Sequence, residues 1–234
     1  MLCARLSVPL PTDYANKRSN NLMKAMKTEI IPEESSRAEA YRMWMSSPVP
    51  MLTFVKTLDV SRLVKVSKRT GIKFNTLMCW CIGKAADGIE EFHVVLEKDK
   101  LFRYDRFSIN VIVNNCQGGI NNCDIPFSDD LQQFYRDYQS MTAQVANECR
   151  NITLDGYAVI GTSAIIQTEL DCIVNQYTGI YTNPFICWSR YRKHLFKTTL
   201  PVSIQFHHVQ MDGGHAARFL QCLQDVIKKE IVIR

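Results

Sequence analysis

The chain lacks three features that would assign it to common protein classes. No stretch approaches the roughly 18 consecutive apolar residues of a membrane span, and no strand pattern leads into a Gly-x-Gly-x-x-Gly turn. Lysine and arginine are scattered or paired rather than gathered in a long basic run, although the formal charge is +5. These absences exclude a membrane-spanning protein and a doubly wound dinucleotide-binding fold, and they argue against a nucleic-acid partner.

The 234 residues also lack a boundary between domains. There is no linker rich in Pro, Gly or Ser and no repeat of fixed period, and the hydrophobic content of 46% is ordinary for a globular protein. We therefore predict one domain over residues 27–234, preceded by a loose tail over residues 1–26. This tail has charged residues and prolines where a secretory signal needs an unbroken apolar stretch, so the sequence predicts a cytoplasmic protein.

The nine cysteines lack the spacing of a disulfide framework or a zinc site. Their number is odd, and no pair has the Cys-x-x-Cys spacing. In a chain of this size, cysteine behaves most often as a small apolar residue. We predict buried, reduced thiols, in agreement with a cytoplasmic location. The mildly basic charge would suit an anionic small molecule but does not select one.

Periodicity predicts helices and strands in irregular order. A long amphipathic helix is expected over residues 129–150, because apolar side chains recur there every three or four positions. Further helices are expected over residues 61–70, 75–89 and 213–229. Strands are predicted over residues 52–58, 92–97, 101–104, 107–114, 157–163, 184–188 and 200–207. This order indicates an α+β fold, a two-layer sandwich of a mixed β-sheet and helices.

Two adjacent histidines stand at the end of the last predicted strand. Because side chains alternate between the faces of a strand, His207 and His208 should point in opposite directions, and one can be structural while the other faces a site. Asp212 follows at the turn into the final helix. Taken singly, these residues have ordinary explanations, a hydrogen-bonded core histidine and a helix N-cap. Together, His-His-x-x-x-Asp-Gly at a strand-to-helix turn favours a catalytic site.

A metal site is a second interpretation of the same residues. The side chains of His207 or His208, Asp212 and His215 carry nitrogen and oxygen atoms of the kind that bind zinc. Adjacent histidines on a strand diverge, however, and the chain has no His-Glu-x-x-His helix. The sequence therefore favours a site without a metal.

Residues 201–215, PVSIQFHHVQMDGGH, resemble the C-terminal active-site segment of chloramphenicol acetyltransferases. The similarity covers residues 35–230, because segments 37–61 and 130–138, the Thr162-Ser163-Ala164 element and the closing helix follow in the family's order and near its spacing. The resemblance implies a sandwich of a mixed sheet and helices, assembled as a homotrimer with active sites at subunit interfaces. It also implies acetyl-CoA as co-substrate and a small hydroxyl compound as acceptor, with chloramphenicol the first candidate.

The resemblance assigns roles to five residues. It makes His208 the general base, Ser163 the donor that steadies the tetrahedral intermediate, Arg37 the buried partner that holds Asp212, and Trp44 an aromatic residue of the acceptor pocket. These residue types also suit acetyl transfer on chemical grounds. A neutral imidazole can accept the proton of an attacking hydroxyl, and a preorganised hydroxyl can stabilise charge that develops on the thioester oxygen.

The chain departs from the family pattern next to the motif. Val209 stands in place of a small residue, Gly214 in place of an aromatic one and Phe206 in place of an aliphatic one. Acetyl transfer is therefore better supported than chloramphenicol as the acceptor. Two alternatives stay open. One is the catalytic core of a dihydrolipoyl acyltransferase, which carries a related His-x-x-x-Asp-Gly element, and the other is a catalytically silent trimeric binding protein.

Overall fold

The computed structural model describes residues 27–229. The predicted loose tail over residues 1–26 lies outside this range, as do residues 230–234. Within the described range the chain forms a seven-stranded sheet and a three-stranded sheet. Five α-helices and two 3-10 helices accompany them. No helix in this part of the chain is long and apolar enough to span a membrane.

The helices and strands have the following bounds. The strands are β1 (Lys27–Ile30), β2 (Met51–Asp59), β3 (Val94–Glu97), β4 (Lys100–Tyr104), β5 (Phe107–Asn114), β6 (Ile120–Pro126), β7 (Ala158–Ile165), β8 (Phe185–Ser189), β9 (Arg192–Lys193) and β10 (Thr198–His207). The α-helices are α1 (Ala38–Trp44), α2 (Ser61–Thr70), α3 (Phe74–Asp87), α4 (Leu131–Glu148) and α5 (Gly213–Lys229). The 3-10 helices are Pro32–Glu34 and Glu90–Phe92.

The larger sheet is mixed and runs in the order β2-β10-β8-β7-β5-β6, with β9 paired to β10. Strand β10 is antiparallel to β2 and β8, whereas β7 is parallel to both β8 and β5. Val202, Ile204 and Phe206 of β10 point into the same core as the buried side chains of α2, α3, α4 and α5. The architecture confirms the predicted α+β sandwich of a mixed sheet and helices.

Local sequence signals account for several helix ends. Asp130 caps α4, where its side chain accepts a hydrogen bond from the Gln132 amide at 2.9 Å. Gly71 ends α2 with a φ of 75°, a left-handed conformation that glycine adopts without a steric penalty. The strands predicted over residues 92–97 and 101–104 form the antiparallel hairpin of β3 and β4, with Lys98 in its turn at a φ of 56°.

The periodicity did not predict β1, α1 or β6, nor the short strand β9 and the 3-10 helix Pro32–Glu34. Strand β6 reads INNCDIP, and its asparagines interrupt the alternation of apolar and polar residues. It forms because its backbone pairs with β5, in register from Ser108 opposite Pro126 to Asn114 opposite Ile120. On its other side a short bridge joins Cys123 to Ile152. Helix α1 has no fully buried residue and therefore lacks an apolar stripe of full width.

The described cysteines differ in burial, and two of them, Cys149 and Cys222, are partly exposed. Cys79, Cys81, Cys123 and Cys187 are buried thiols, as predicted. The prediction is wrong for Cys116 and Cys172, which are exposed. Cys116 lies in the turn between β5 and β6, and Cys172 lies in the long connection between β7 and β8. Turns and connections run over the surface, so local residue type does not decide the burial of these two side chains.

The smaller sheet, in the order β1-β4-β3, packs with α1 against the turn that follows β10. Val209 from that turn is buried in a second apolar cluster with Val94, Leu96 and Leu101. Side chains from β1, α1 and its C-terminal flank complete the cluster: Ile30, Tyr41, Trp44 and Met45. The N-terminal part of the described chain is thereby placed against the histidine motif, about 170 residues later in the sequence.

Candidate active site

The two histidines of the motif occupy different environments at the end of β10. His207 is the last residue of the strand and lies opposite Met51 of β2. His208 begins the turn, and its backbone amide donates to the Pro50 carbonyl at 2.7 Å. The side chains of Ser203, Gln205 and His207 share the strand face opposite to Val202, Ile204 and Phe206. The two imidazoles therefore point in different directions, as the alternation along the strand predicted.

His207 is a buried structural side chain, with only 3% of its surface exposed. Its Nδ1 accepts a hydrogen bond from the Val209 amide at 3.2 Å, so the ring proton resides on Nε2. Burial, followed by the charge of nearby His208, lowers the pKa of His207 to about 4. The His207 ring is consequently neutral at pH 7, and it contributes a fixed acceptor to the turn.

His208 has the opposite arrangement of ring nitrogens. Its Nδ1 lies 3.1 Å from the Met211 carbonyl oxygen. A carbonyl oxygen can only accept, so Nδ1 carries the proton, and the neutral ring has its free electron pair on Nε2. The ring also stacks on the indole of Trp44, with centroids 4.4 Å apart and an interplanar angle of 14°. Both contacts hold the half-buried imidazole in one orientation with Nε2 available as a proton acceptor.

Arg37, at the start of α1, makes three hydrogen bonds to the turn. Its Nε donates to the Val209 carbonyl at 2.9 Å, and its NH2 group donates to the His208 carbonyl at 2.8 Å. The remaining guanidinium nitrogen donates to Asp212 Oδ2 at 3.1 Å. The planar fork of arginine can satisfy three acceptors at fixed angles, which a lysine ammonium cannot reproduce. Arg37 therefore fixes the backbone on either side of the His208 peptide as well as the aspartate.

The Arg37–Asp212 pair is less buried than the sequence suggested. The Arg37 side chain is 9% exposed, but the Asp212 side chain is 44% exposed. Solvent screens such a half-exposed carboxylate, so the ion pair contributes less than a fully buried one. Arginine is buried mainly because its other two hydrogen bonds go to backbone carbonyls. The predicted pair is present, and the description of it as buried is corrected for Asp212.

Asp212 caps the final helix as well as pairing with the arginine. Both explanations that the sequence offered for this residue therefore apply. Its Oδ1 accepts from the Gly214 amide at 3.1 Å, and its carbonyl accepts from the Ala216 amide at 3.2 Å, which is the pattern of an N-cap. Burial alone would raise the pKa of the Asp212 carboxyl. The hydrogen bond from Arg37, with nearby His215 and the Gly214 amide, lowers that pKa overall. The carboxylate is therefore charged at neutral pH.

Gln210 is a site residue that the sequence reasoning missed. It is fully buried in the middle of the turn. With its amide oriented to satisfy both ends, the nitrogen donates to the Thr182 carbonyl at 2.7 Å and the oxygen accepts from the Leu96 amide at 2.8 Å. Gln210 thus links β3 to the segment that precedes β8. A glutamine inside an otherwise apolar turn is the signal that could have identified it, since a buried amide needs partners.

Ser163 is not brought next to His208 within this chain. It lies on β7 opposite Cys187 of β8, and Cys187 lies opposite Ser203 of β10. Two strand spacings and four residues along β10 separate Ser163 from His207, a Cα distance on the order of 15 Å. Of the five predicted site residues, the structure places His208, Asp212, Arg37 and Trp44 together and Ser163 apart.

Within residues 27–229, no group of three or more His, Cys, Asp or Glu side chains converges as a metal site would. The residues weighed for such a site have other partners. His207 binds the Val209 amide, and His215 Nε2 lies 2.9 Å from Glu91 Oε1. The geometry consists of an oriented imidazole, a charged aspartate and a buried arginine, a set suited to moving a proton.

The model of the chloramphenicol acetyltransferase family matches residues 28–224. The chain belongs to this family. It is 24% identical over 194 residues to chloramphenicol acetyltransferase 2 of Escherichia coli, covering 81% of this chain and 91% of the relative. It is 25% identical over 201 residues to the chloramphenicol acetyltransferase of Clostridium perfringens, covering 82% and 94% of the two chains.

Solved structures show the same fold. A chloramphenicol acetyltransferase structure matches with a TM-score of 0.76 at 19% identity, covering 86% of this chain and all of the other. A probable dihydrolipoamide acetyltransferase from Listeria monocytogenes matches with a TM-score of 0.65 at 12% identity, covering 87% and 96%. At these identities the similarity concerns the fold alone. Both structures therefore share this sandwich with the chain.

Proposed function

We propose that the chain is an acetyl-CoA-dependent O-acetyltransferase that acetylates chloramphenicol or a similar small hydroxyl compound, with His208 as general base. Membership in the chloramphenicol acetyltransferase family supports the acetyl transfer. One observation supports the role of His208 above all: its Nδ1 is bound to the Met211 carbonyl at 3.1 Å, which leaves Nε2 free to accept a proton.

The proposed reaction forms an ester C–O bond, breaks the thioester C–S bond and moves one proton from the hydroxyl to the sulfur. Nε2 of His208 takes the proton of the acceptor hydroxyl while that oxygen attacks the thioester carbonyl carbon. The tetrahedral intermediate then expels the coenzyme A sulfur, and the imidazolium returns the proton to it. Arg37 and Asp212 act by positioning, because they hold the backbone that carries the imidazole. Trp44 keeps the ring plane in place by stacking.

We place the active site between subunits of a homotrimer. The distance on the order of 15 Å between Ser163 and the histidines within one chain supports this arrangement, because a hydrogen bond to the developing oxyanion requires contact. In the trimer, Ser163 of one subunit would serve the oxyanion next to His208 of another. A cytoplasmic location accords with acetyl-CoA as co-substrate and with the free thiols of the described cysteines.

A thiol-release assay tests the proposal. Acetyl-CoA is incubated with the protein and with chloramphenicol, a panel of small alcohols or dihydrolipoamide, and free coenzyme A is measured with a thiol reagent. We expect release with chloramphenicol or another hydroxyl compound, and release about 10²–10⁴-fold slower with the His208→Ala variant. Release with dihydrolipoamide alone would move the protein to the dihydrolipoyl acyltransferases. Tight binding without turnover of any acceptor would make it a binding protein.

Light scattering tests the assembly. The expected mass is three times the chain mass of 26.9 kDa. A monodisperse monomer that still acetylates an acceptor would contradict an active site formed between subunits.

A further inference from the structure

Two thiols outside the active site face each other at the surface. Cys116 lies in the turn between β5 and β6, and Cys149 is the C-cap residue of α4. Their sulfur atoms are 3.4 Å apart, which is van der Waals contact between two sulfurs. Cys116 is exposed and Cys149 is partly exposed. A small oxidant can therefore reach the pair, unlike the buried thiols of the core.

The backbone around the pair is held in place by hydrogen bonds. The Cys116 amide donates to the Ala146 carbonyl at 2.9 Å, and the Cys149 amide donates to the Val145 carbonyl at 3.0 Å. The first bond fixes the turn against the last turn of α4 before any covalent bond exists, and the second fixes the end of the helix itself. An S–S bond is about 2 Å long, so the two sulfur atoms need to approach by only about 1.4 Å from their distance of 3.4 Å.

Cys149 has an unusual backbone conformation for its residue type. Its φ of 53° and ψ of 37° are left-handed, and within residues 27–229 only Lys98 is another non-glycine residue with positive φ. Helices usually place glycine at such a position, because a Cβ atom there is sterically unfavourable. The left-handed backbone turns the Cys149 side chain out of the helical pattern and toward Cys116.

We propose that Cys116 and Cys149 form a reversible intramolecular disulfide that links the β5–β6 turn to the end of α4, with a peroxide as oxidant. One thiolate attacks a peroxide oxygen and becomes a sulfenic acid, with release of water. The second sulfur then displaces the sulfenic hydroxyl as water and forms the S–S bond. In sum, two thiols and one hydrogen peroxide give one disulfide and two waters, so the sulfurs are oxidised and the peroxide is reduced.

The link joins segments that are distant in sequence. A cross-link of this kind restricts the unfolded chain and so stabilises the folded state. For a chain of this size we expect a rise in Tm of about 4–16 °C. The cysteines lie near β5 and β6, at one end of the strand order. His208 follows β10, which lies near the opposite end. The effect that we expect from the disulfide is therefore a rise in stability, measured as Tm.

Mass spectrometry of the full-length protein tests the proposal. The reduced protein is exposed to hydrogen peroxide, alkylated with N-ethylmaleimide and weighed, and fragment spectra locate the cross-link. We expect the loss of two alkylation sites and a mass lower by two hydrogen atoms for the bond itself. The same sample should show the rise in Tm, and dithiothreitol should reverse both changes.

Three variants make the test specific. Cys116→Ser and Cys149→Ser should each abolish the cross-link and the rise in Tm, whereas Cys172→Ser removes another exposed thiol and should leave both unchanged. The reduced variants are compared by circular dichroism, so that a folding defect is recognised. Full alkylation of both cysteines after oxidation, a bond to Cys172, or disulfide-linked dimers in place of the internal bond would overturn the proposal.

Discussion

The turn after β10 and the middle of β7 differ in how completely one chain prepares them for catalysis. In the turn, His208 has one ring nitrogen bound, its plane stacked on Trp44 and its carbonyl held by Arg37. On β7, Ser163 lies two strands from β10, with no described residue of the motif beside it. One chain therefore orients the proposed base but does not bring the proposed oxyanion donor to it.

A single chain can therefore hold one catalytic group in a fixed orientation without supplying every group that the reaction needs. The turn is rigid because several elements converge on it: α1, the segment before β8, and the N-terminus of α5. The β7 residue is placed by strand pairing alone. If a second subunit supplies Ser163, the two halves of the site can be tested independently.

The first prediction concerns the oriented half of the site. His208→Ala should lower the rate of acetyl transfer by about 10²–10⁴-fold, because the imidazole that presents Nε2 as a proton acceptor is removed. The fold should persist, since the ring is only half-buried. Steady-state kinetics and circular dichroism measure the two effects. An active His208→Ala enzyme beside an inactive but stable His207→Ala enzyme would reverse the assignment of the base.

The second prediction concerns the incomplete half. Ser163→Ala should lower kcat by about 10²-fold with little change in substrate affinity, because the hydroxyl acts on charge that exists near the transition state. Equal loss of ground-state affinity would make Ser163 a binding residue instead.

Mixed trimers show whether the two halves come from different chains. Co-expressed His208→Ala and Ser163→Ala chains should regain activity, because random assortment gives about a quarter of sites with both native residues. Each variant expressed alone provides the control. A mixture as inactive as its components would mean that both residues act from one chain.

The third prediction concerns the pH dependence of stability through His207. The folded pKa of His207 is lowered to about 4, whereas an unfolded imidazole titrates near 6.5. Below about pH 6.5 the unfolded chain binds a proton that the folded chain does not. The stabilising contribution is thus complete above pH 6.5 and is lost as the pH falls toward 4, with about 2 kcal/mol lost between pH 7 and pH 5.

A variant isolates this contribution. The amide oxygen of asparagine in His207→Asn can replace Nδ1 as the acceptor for the Val209 amide, but it does not titrate. Urea unfolding at pH 7 and pH 5 should show a smaller loss of stability on acidification for the variant than for the wild type. Equal losses in both proteins would contradict a depressed pKa for His207.

The fourth prediction concerns the Trp44 ring. Trp44→Leu should lower kcat between about twofold and tenfold, because a stacked ring pair contributes about 0.5–1.5 kcal/mol to holding the imidazole. Trp44→Tyr keeps an aromatic face and should retain most of the rate. If both variants change KM for the acceptor and leave kcat intact, the residue binds substrate, as the sequence resemblance implies, and does not position His208.

The local sequence determined most of the regular structure and the opposite directions of the two histidines. Alternation along a strand and periodicity along a helix depend on near neighbours, so they predicted β10, α4, α5 and the divergence of His207 and His208. Strand β6 escaped prediction because pairing with β5 forms it, and its own pattern is weak. The sequence motif also identified the residues of the turn in their order. It did not identify the residues that contact them.

Only the tertiary structure decided which ring nitrogen of each histidine is occupied, that Trp44 lies on His208, and that Gln210 is buried between Leu96 and Thr182. It also placed Ser163 two strands away from the motif. These facts depend on sheet order and on contacts between segments far apart in sequence, which no periodicity encodes. The pattern of apolar and polar residues specifies only which faces of helices and strands can be buried. Packing determines which of the many possible long-range contacts form.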